Sequence, residues 1–188
     1  MNIILGSSSP RRRELLAMLG VTFDVCSIDA DESYPANLMA AEIPCYISQQ
    51  KAKAFGIVEP DTLLITADTI VWLDGIVYGK PANEQDAENI LAKLSARTHQ
   101  VITGVTIRTA QLSHTFAATT DVHFAPLTTQ QIHYYVTHYH PLDKAGAYGI
   151  QEWIGAVGIK GITGSYYNVM GLPVHQLYKE LKALDIVL

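Results

Sequence analysis

Within its first sixteen residues the chain must pass from a buried strand, through a Gly/Ser loop, into a helix. Ile3-Ile4-Leu5 is a short apolar run and Gly6-Ser7-Ser8-Ser9 interrupts it. Pro10 then stands where a first helical residue belongs, with Ser9 as its cap. A strand that feeds directly into a helix commits a chain to α/β layering. The same segment places Arg11, Arg12 and Arg13 in the first helical turn, where the helix dipole disfavours each cation by about 0.3–1 kcal/mol. Hydroxyls, backbone N–H groups and guanidinium forks at one helix start suit a phosphate-bearing anion. The competing explanation is a solvated basic turn.

The rest of the chain continues the alternation. Residues 21–28 alternate like a half-buried strand, 29–35 form an acidic loop, and 37–55 carry helical spacing, with Pro44 at a start or kink. Thr62 to Ala67 reads as a continuous apolar strand that ends on Asp68-Thr69. Two further short strands, 70–73 and 76–78, flank Asp74-Gly75 as a hairpin. Asn83 caps a helix to about residue 94. Residues 99–111 and 114–124 read as two long strands, 128–138 as a helix, 146–164 as loops and short strands, and 173–184 as a closing helix. Hairpins mixed with crossover helices predict a mixed sheet rather than a parallel one.

Composition narrows the partners. The chain has 188 residues, 48% hydrophobic, and a net charge of −5. That length supports one sizeable core. An acidic chain with one basic cluster points to a small anionic ligand and away from nucleic acid. No apolar run reaches the roughly 18 residues of a membrane span. No signal peptide is visible, and Cys26 and Cys45 lack metal-type spacing, as in a reducing cytosol.

The chemistry-bearing residues are few. Asp68 follows an apolar strand, where α/β sheets place ligands, and is a candidate proton acceptor or ligand for a divalent ion. The alternative is an Asx turn. Gly79-Lys80-Pro81 presents one ammonium. Lys51 and Lys53 are two apart and so face different sides of a helix, which admits at most one of them to a site. Gly146 to Gln151 is a Gly-rich loop ending in an amide able to read a base edge. His133, His138 and His140 cluster in sequence, but their spacing fits no zinc motif. No G-x-S-x-G elbow occurs. Taken together, these residues fit metal-assisted chemistry on a polyphosphate.

Ser7-Ser8-Ser9-Pro10-Arg11-Arg12, Ala67-Asp68-Thr69-Ile70-Val71, Gly79-Lys80-Pro81, Leu94-Ser95-Ala96-Arg97-Thr98-His99 and Asp143 to Gln151 resemble the Maf family in order and spacing. Gly164 to Pro173 extends the likeness over nearly the whole chain. The resemblance implies one Maf-like α/β domain over 1–188, with a mixed twisted sheet, flanking helices and two lobes around a central cleft, similar to inosine triphosphate pyrophosphatases. It implies a cytoplasmic nucleoside triphosphate pyrophosphatase that uses Mg²⁺ or Mn²⁺ and releases a monophosphate and pyrophosphate. The family is also linked to cell-division arrest.

By the same resemblance, Asp68 is the proton acceptor, and Ser7, Ser9, Arg11, Arg12, Lys51 and Lys80 contact phosphate. Glu32 and Asp68 are the expected metal ligands. Arg12, Thr69 and Gln151 occupy base-sorting positions and look like the dTTP/UTP branch rather than the 7-methyl-GTP branch. Arg13 matches no family position. Two departures stand out: Ala96 where glycine is usual, and Glu152-Trp153 where glycine tends to follow the glutamine. The rival expectations are a nucleotide-sensing protein with little turnover and a 7-methyl-GTP-type enzyme. A homodimer is one reading of an assembly that the sequence leaves open.

Overall fold

Ile3-Ile4-Leu5 forms β1 (Asn2–Gly6), with Leu5 fully buried, in a computed structural model that describes residues 1–186. The expected domain 1–188 thus extends two residues beyond the described ones. From β1 the chain turns through Ser7–Ser9 into α1 (Pro10–Ala17), capped by Ser9 with Pro10 in the first turn, as expected. Leu15 and Leu16 anchor that helix in the core.

β2 (Asp24–Cys26) is shorter than the expected strand at 21–28. Among the described residues it lies at the sheet edge, pairs only with β1, and leaves Asp24 and Val25 exposed. α2 (Glu42–Ala54) starts later than its periodicity suggests. Residues 36–41 form turns, and Pro44 falls in the first helical turn, where its missing N–H removes no helical bond.

β3 (Thr62–Leu73) corrects the expected break at Asp68-Thr69, because the strand runs unbroken through both residues. A carboxylate inside an apolar run resembles a strand end, but here a buried ammonium satisfies it and the ladder continues. β4 (Ile76–Tyr78) pairs antiparallel with β3. Asp74 and Gly75 have φ values of 54° and 81°, the consecutive left-handed pair of a type I′ hairpin turn.

α3 (Glu84–Leu94) buries Ala87, Ile90, Leu91 and Leu94, the i, i+3, i+4, i+7 stripe of a core-facing helix. Asn83 caps it through the Asp86 N–H at 2.9 Å. β5 (Thr98–Arg108) and β6 (Ser113–Phe124) are the two long strands expected. α4 (Thr129–Tyr139) begins with a capping box between Thr128 and Gln131. Residues 146–164, expected as loops and short strands, hold α5 (Trp153–Gly158) and β7 (Ile159–Thr163); single-turn helices at 141–143 and 145–147 come before them, and α6 (Tyr166–Met170) comes after. α7 (Val174–Ala183) closes the chain with Val174, Leu177 and Leu181 buried.

Among the described residues the sheet has seven strands, ordered β2-β1-β3-β5-β6-β7, with β4 also on β3. β1 is parallel to β2 and β3, whereas β3–β4 and β6–β7 are antiparallel, so the sheet is mixed as expected. No described helix is long and apolar enough to cross a membrane.

The chain forms two compact units. The first comprises Met1–Thr69, Thr103–Ala118 and the residues from Gly171 on; the second comprises Ile70–Ile102 and Thr119–Met170. In the first, α2 lies directly on β5: a Cβ at Gly104 would stand 2.3–2.4 Å from the backbone of Pro44 and Cys45. In the second, Val101, Val122 and Phe124 form one core with the apolar faces of α3 and α4. Each such fully buried side chain contributes about 1.5–3 kcal/mol.

Candidate active site

In the first unit, the register Gly6↔Thr66 brings the Ser7–Ser9 loop out of the sheet at the level of Asp68 on the neighbouring parallel strand. Ser7 is buried, and its Oγ accepts the Ser9 N–H at 3.3 Å and an Arg12 Nη1 donor at 3.4 Å. Arg11 and Arg12 are half-buried and Arg13 is exposed, so the three arginines separate. The Arg12 guanidinium is fully oriented. Its Nε donates to the Gly171 carbonyl at 2.9 Å, and its Nη2 donates to Thr69 Oγ1 at 3.0 Å. The Thr69 hydroxyl meets the buried Thr103 hydroxyl at 2.9 Å. Desolvation lowers the Arg12 pKa from its ordinary value; Asp68 opposes the shift, Arg11 adds to it, and Glu32 opposes it. The guanidinium stays charged regardless.

Lys51 is the centre of the second grouping in this unit. Ile47, Ser48, Lys51 and Ala52 share the buried face of α2, whereas Lys53 is exposed, so only one of the two lysines turns inward. Two hydroxyl contacts fix the helix above the sheet, and a third ties β5 to β6 beneath it. Ser48 Oγ meets Thr106 Oγ1 at 2.9 Å, Thr66 Oγ1 donates to the Ser48 carbonyl at 2.7 Å, and Thr106 Oγ1 meets Thr115 Oγ1 at 2.9 Å. From there the Lys51 Nζ reaches Asp68 Oδ1 and Glu32 Oε1, both at 2.8 Å. Lys51 and Asp68 side chains are only 11% and 13% exposed, against 55% for Glu32. Glu32 arrives on the acidic loop, where Asp31 accepts the Ser33 N–H and hydroxyl at 2.8 and 2.7 Å. Those two bonds, the backbone one first, hold the Asp31 carboxyl below its ordinary pKa.

The donor set suits a hard divalent cation. Two carboxylates from distant parts of the chain already converge on one positive centre. No group of three or more His, Cys, Asp and Glu able to hold a metal occurs among the described residues. A divalent cation held by these two carboxylates would therefore need further oxygen ligands from outside the chain.

Lys80 and Gln151 belong to the second unit, and both are exposed. Lys80 follows β4, and its turn is tied to the Gly-rich loop by the Gly146 N–H, which donates to the Gly79 carbonyl at 3.1 Å. Ala96 keeps a left-handed φ of 59°, the conformation that glycine adopts without penalty.

His99 is buried against Phe124 and Tyr148, with Nε2 at 2.8 Å from the Tyr148 hydroxyl. Burial, and secondarily His123, push its pKa down to about 4. The other histidines of interest take separate partners: His133 with Glu88, His140 with Glu84, and His138 with the Tyr134 carbonyl.

Several contributors escaped sequence reasoning. Thr103 and the Gly171 carbonyl orient Arg12 and Thr69, and Tyr135 and Lys144 engage Glu152. Thr103 left one signal, a hydroxyl inside a strand buried along nearly its whole length. A backbone carbonyl left none.

Comparison with known proteins identifies the family. A family model described as "Maf-like protein" matches residues 2–184. A dTTP/UTP pyrophosphatase of Phocaeicola vulgatus is 57% identical over 97% of this chain and 95% of its own length. Its namesake from Bacteroides thetaiotaomicron is 56% identical over the same shares. The Ham1 protein of Staphylococcus aureus shares the fold, with a TM-score of 0.56 at 16% identity, covering 98% of this chain and 100% of its own. A HAM1 protein from Coxiella burnetii gives 0.53 at 14% identity, over 97% and 99%. A match this long, with relatives more than half identical, means that the chain belongs to the Maf-like family.

Proposed function

We propose that the protein hydrolyses dTTP and UTP to the nucleoside monophosphate and pyrophosphate. One observation carries the reading: in a Maf-like chain, a buried lysine holds Asp68 and Glu32 at 2.8 Å each. Asp68 accepts a proton from water as the water oxygen bonds to phosphorus and the α–β bridge opens. The bridging oxygen leaves with pyrophosphate. Ser7, Ser9, Arg11 and Arg12 bind the triphosphate at the start of α1. Lys51 and Lys80 offset charge that builds on the departing pyrophosphate.

A Mg²⁺ or Mn²⁺ ion, held by Asp68 and Glu32 when bound, would neutralise phosphate charge and polarise the phosphorus–oxygen bonds. Arg12, Thr69 and Gln151 select the base. The direct bond from Arg12 to Thr69 supports treating those two as one recognition unit.

Pyrophosphate release from dTTP, UTP, CTP and 7-methyl-GTP, with each metal, tests the assignment. Asp68→Asn should still bind dTTP while turnover falls by about 10²–10⁴, the usual contribution of a positioned base. Near-normal turnover in that variant removes Asp68 from the mechanism. Binding without pyrophosphate release by the unaltered protein would instead favour nucleotide sensing.

A further inference from the structure

Gln151 is exposed, yet the backbone that carries it is held from beneath. The Glu152 N–H donates to the Gly149 carbonyl at 3.0 Å, which makes Gln151 the third residue of a four-residue turn. The Glu152 carboxylate is largely buried, with its side chain 19% exposed. Its Oε2 accepts the hydroxyl of the fully buried Tyr135, and its Oε1 lies 3.2 Å from Lys144 Nζ. Lys144 also donates to Asp143 at 2.7 Å.

The Tyr135 oxygen in turn accepts the Gly149 N–H at 3.0 Å. An amide N–H can only donate, so the single phenol proton goes to Glu152. The bonds therefore run in one direction, from Gly149 through Tyr135 to Glu152, with Lys144 at the far side of the carboxylate. In a buried network each bond polarises the next. Burial, reinforced by the hydrogen bond to Glu152, raises the Tyr135 pKa, so the phenol remains a donor. Gly149 has no side chain to obstruct this: a Cβ there would stand 2.9–3.1 Å from the Glu152 carboxyl group.

We propose that Glu152 is a positioning residue for base recognition: with Tyr135 and Lys144 it locks the Gly149–Glu152 turn and so aims the Gln151 amide. The inference rests on the base-reading role given to Gln151 above. Uracil and thymine present an N–H donor beside a carbonyl acceptor, whereas cytosine presents the reverse. A primary amide pairs with either edge after a half-turn of its last torsion. Discrimination therefore depends on how firmly the amide is held, and site geometry must be kept to about 0.5 Å.

The test measures kcat and KM for UTP and CTP in the wild type, Gln151→Ala, Glu152→Gln, Tyr135→Phe and the Gln151→Ala/Glu152→Gln double variant. Glu152→Gln and Tyr135→Phe should each lower the UTP-over-CTP preference about fivefold, mainly through KM. The double variant should discriminate no worse than Gln151→Ala, because coupled residues are not additive. Equal loss for both substrates, or a further loss of preference in the Gln151→Ala background, overturns the brace while leaving Gln151 in its role. An unchanged preference in Gln151→Ala itself removes the base-reading role and the proposal with it.

Discussion

Lys51 and Lys53 lie two positions apart on α2, and one is buried against two carboxylates while the other is solvated. Helical spacing alone makes that separation necessary, but it does not say which lysine turns inward. The choice follows from Ile47, Ser48 and Ala52, which share the buried face with Lys51. Asp68 shows the converse case: its carboxylate looks like a strand terminator in sequence, yet the strand continues because Lys51 meets it. Such a pair is strongly interdependent. Lys51→Met should destabilise the fold by about 3 kcal/mol, since it leaves a desolvated carboxylate without its ammonium. Urea unfolding checks this, and a change below about 0.5 kcal/mol, as for an exposed pair, would mean that Asp68 is solvated after all. Glu152 was visible in the sequence as a departure from the family pattern. Its partner is Tyr135, 17 residues away, which the local sequence does not point to.

At the scale of elements, the local signals were strong where backbone chemistry is local. Ser9 and Asn83 cap the helices they precede, and Asp74-Gly75 makes the hairpin turn. The misreadings fall where neighbours decide. The expected strand at 21–28 shrinks to three residues at an edge, and the glycines around residues 155–158 disguised a helix as loop. Gly104 is the clearest element-scale constraint, because α2 rests on β5 with no room for a Cβ. Gly104→Ala should push α2 outward, displace Lys51 from Asp68, and lower both stability and turnover. Overpacking of this kind typically costs about 1–3 kcal/mol. Thermal unfolding and pyrophosphate release should fall together. Loss of neither would show that α2 moves without disturbing Lys51.

At the scale of the whole molecule, stability should depend on the buried His99. His99 takes up its proton only near pH 4 in the folded state, whereas an unfolded histidine does so near 6.5. Between those values the unfolded chain binds the extra proton, so stability falls as pH drops from about 6.5 to 4, by on the order of 3 kcal/mol. In His99→Gln that portion of the acid loss should disappear, as read from urea midpoints at pH 7 and pH 4.5. An equal loss in wild type and variant would mean that His99 is not held neutral.

By itself, the sequence determined the α/β class, the capped helix start with its arginines, the type of sheet and the family. Each of these is written in local spacing or in ordered motifs. Only the tertiary structure decided which lysine meets Asp68, what orients Arg12, and where the Glu152 carboxylate points. Those contacts join residues 17, 159 and 17 positions apart, and long-range desolvation and hydrogen-bond geometry leave no periodic trace in a chain.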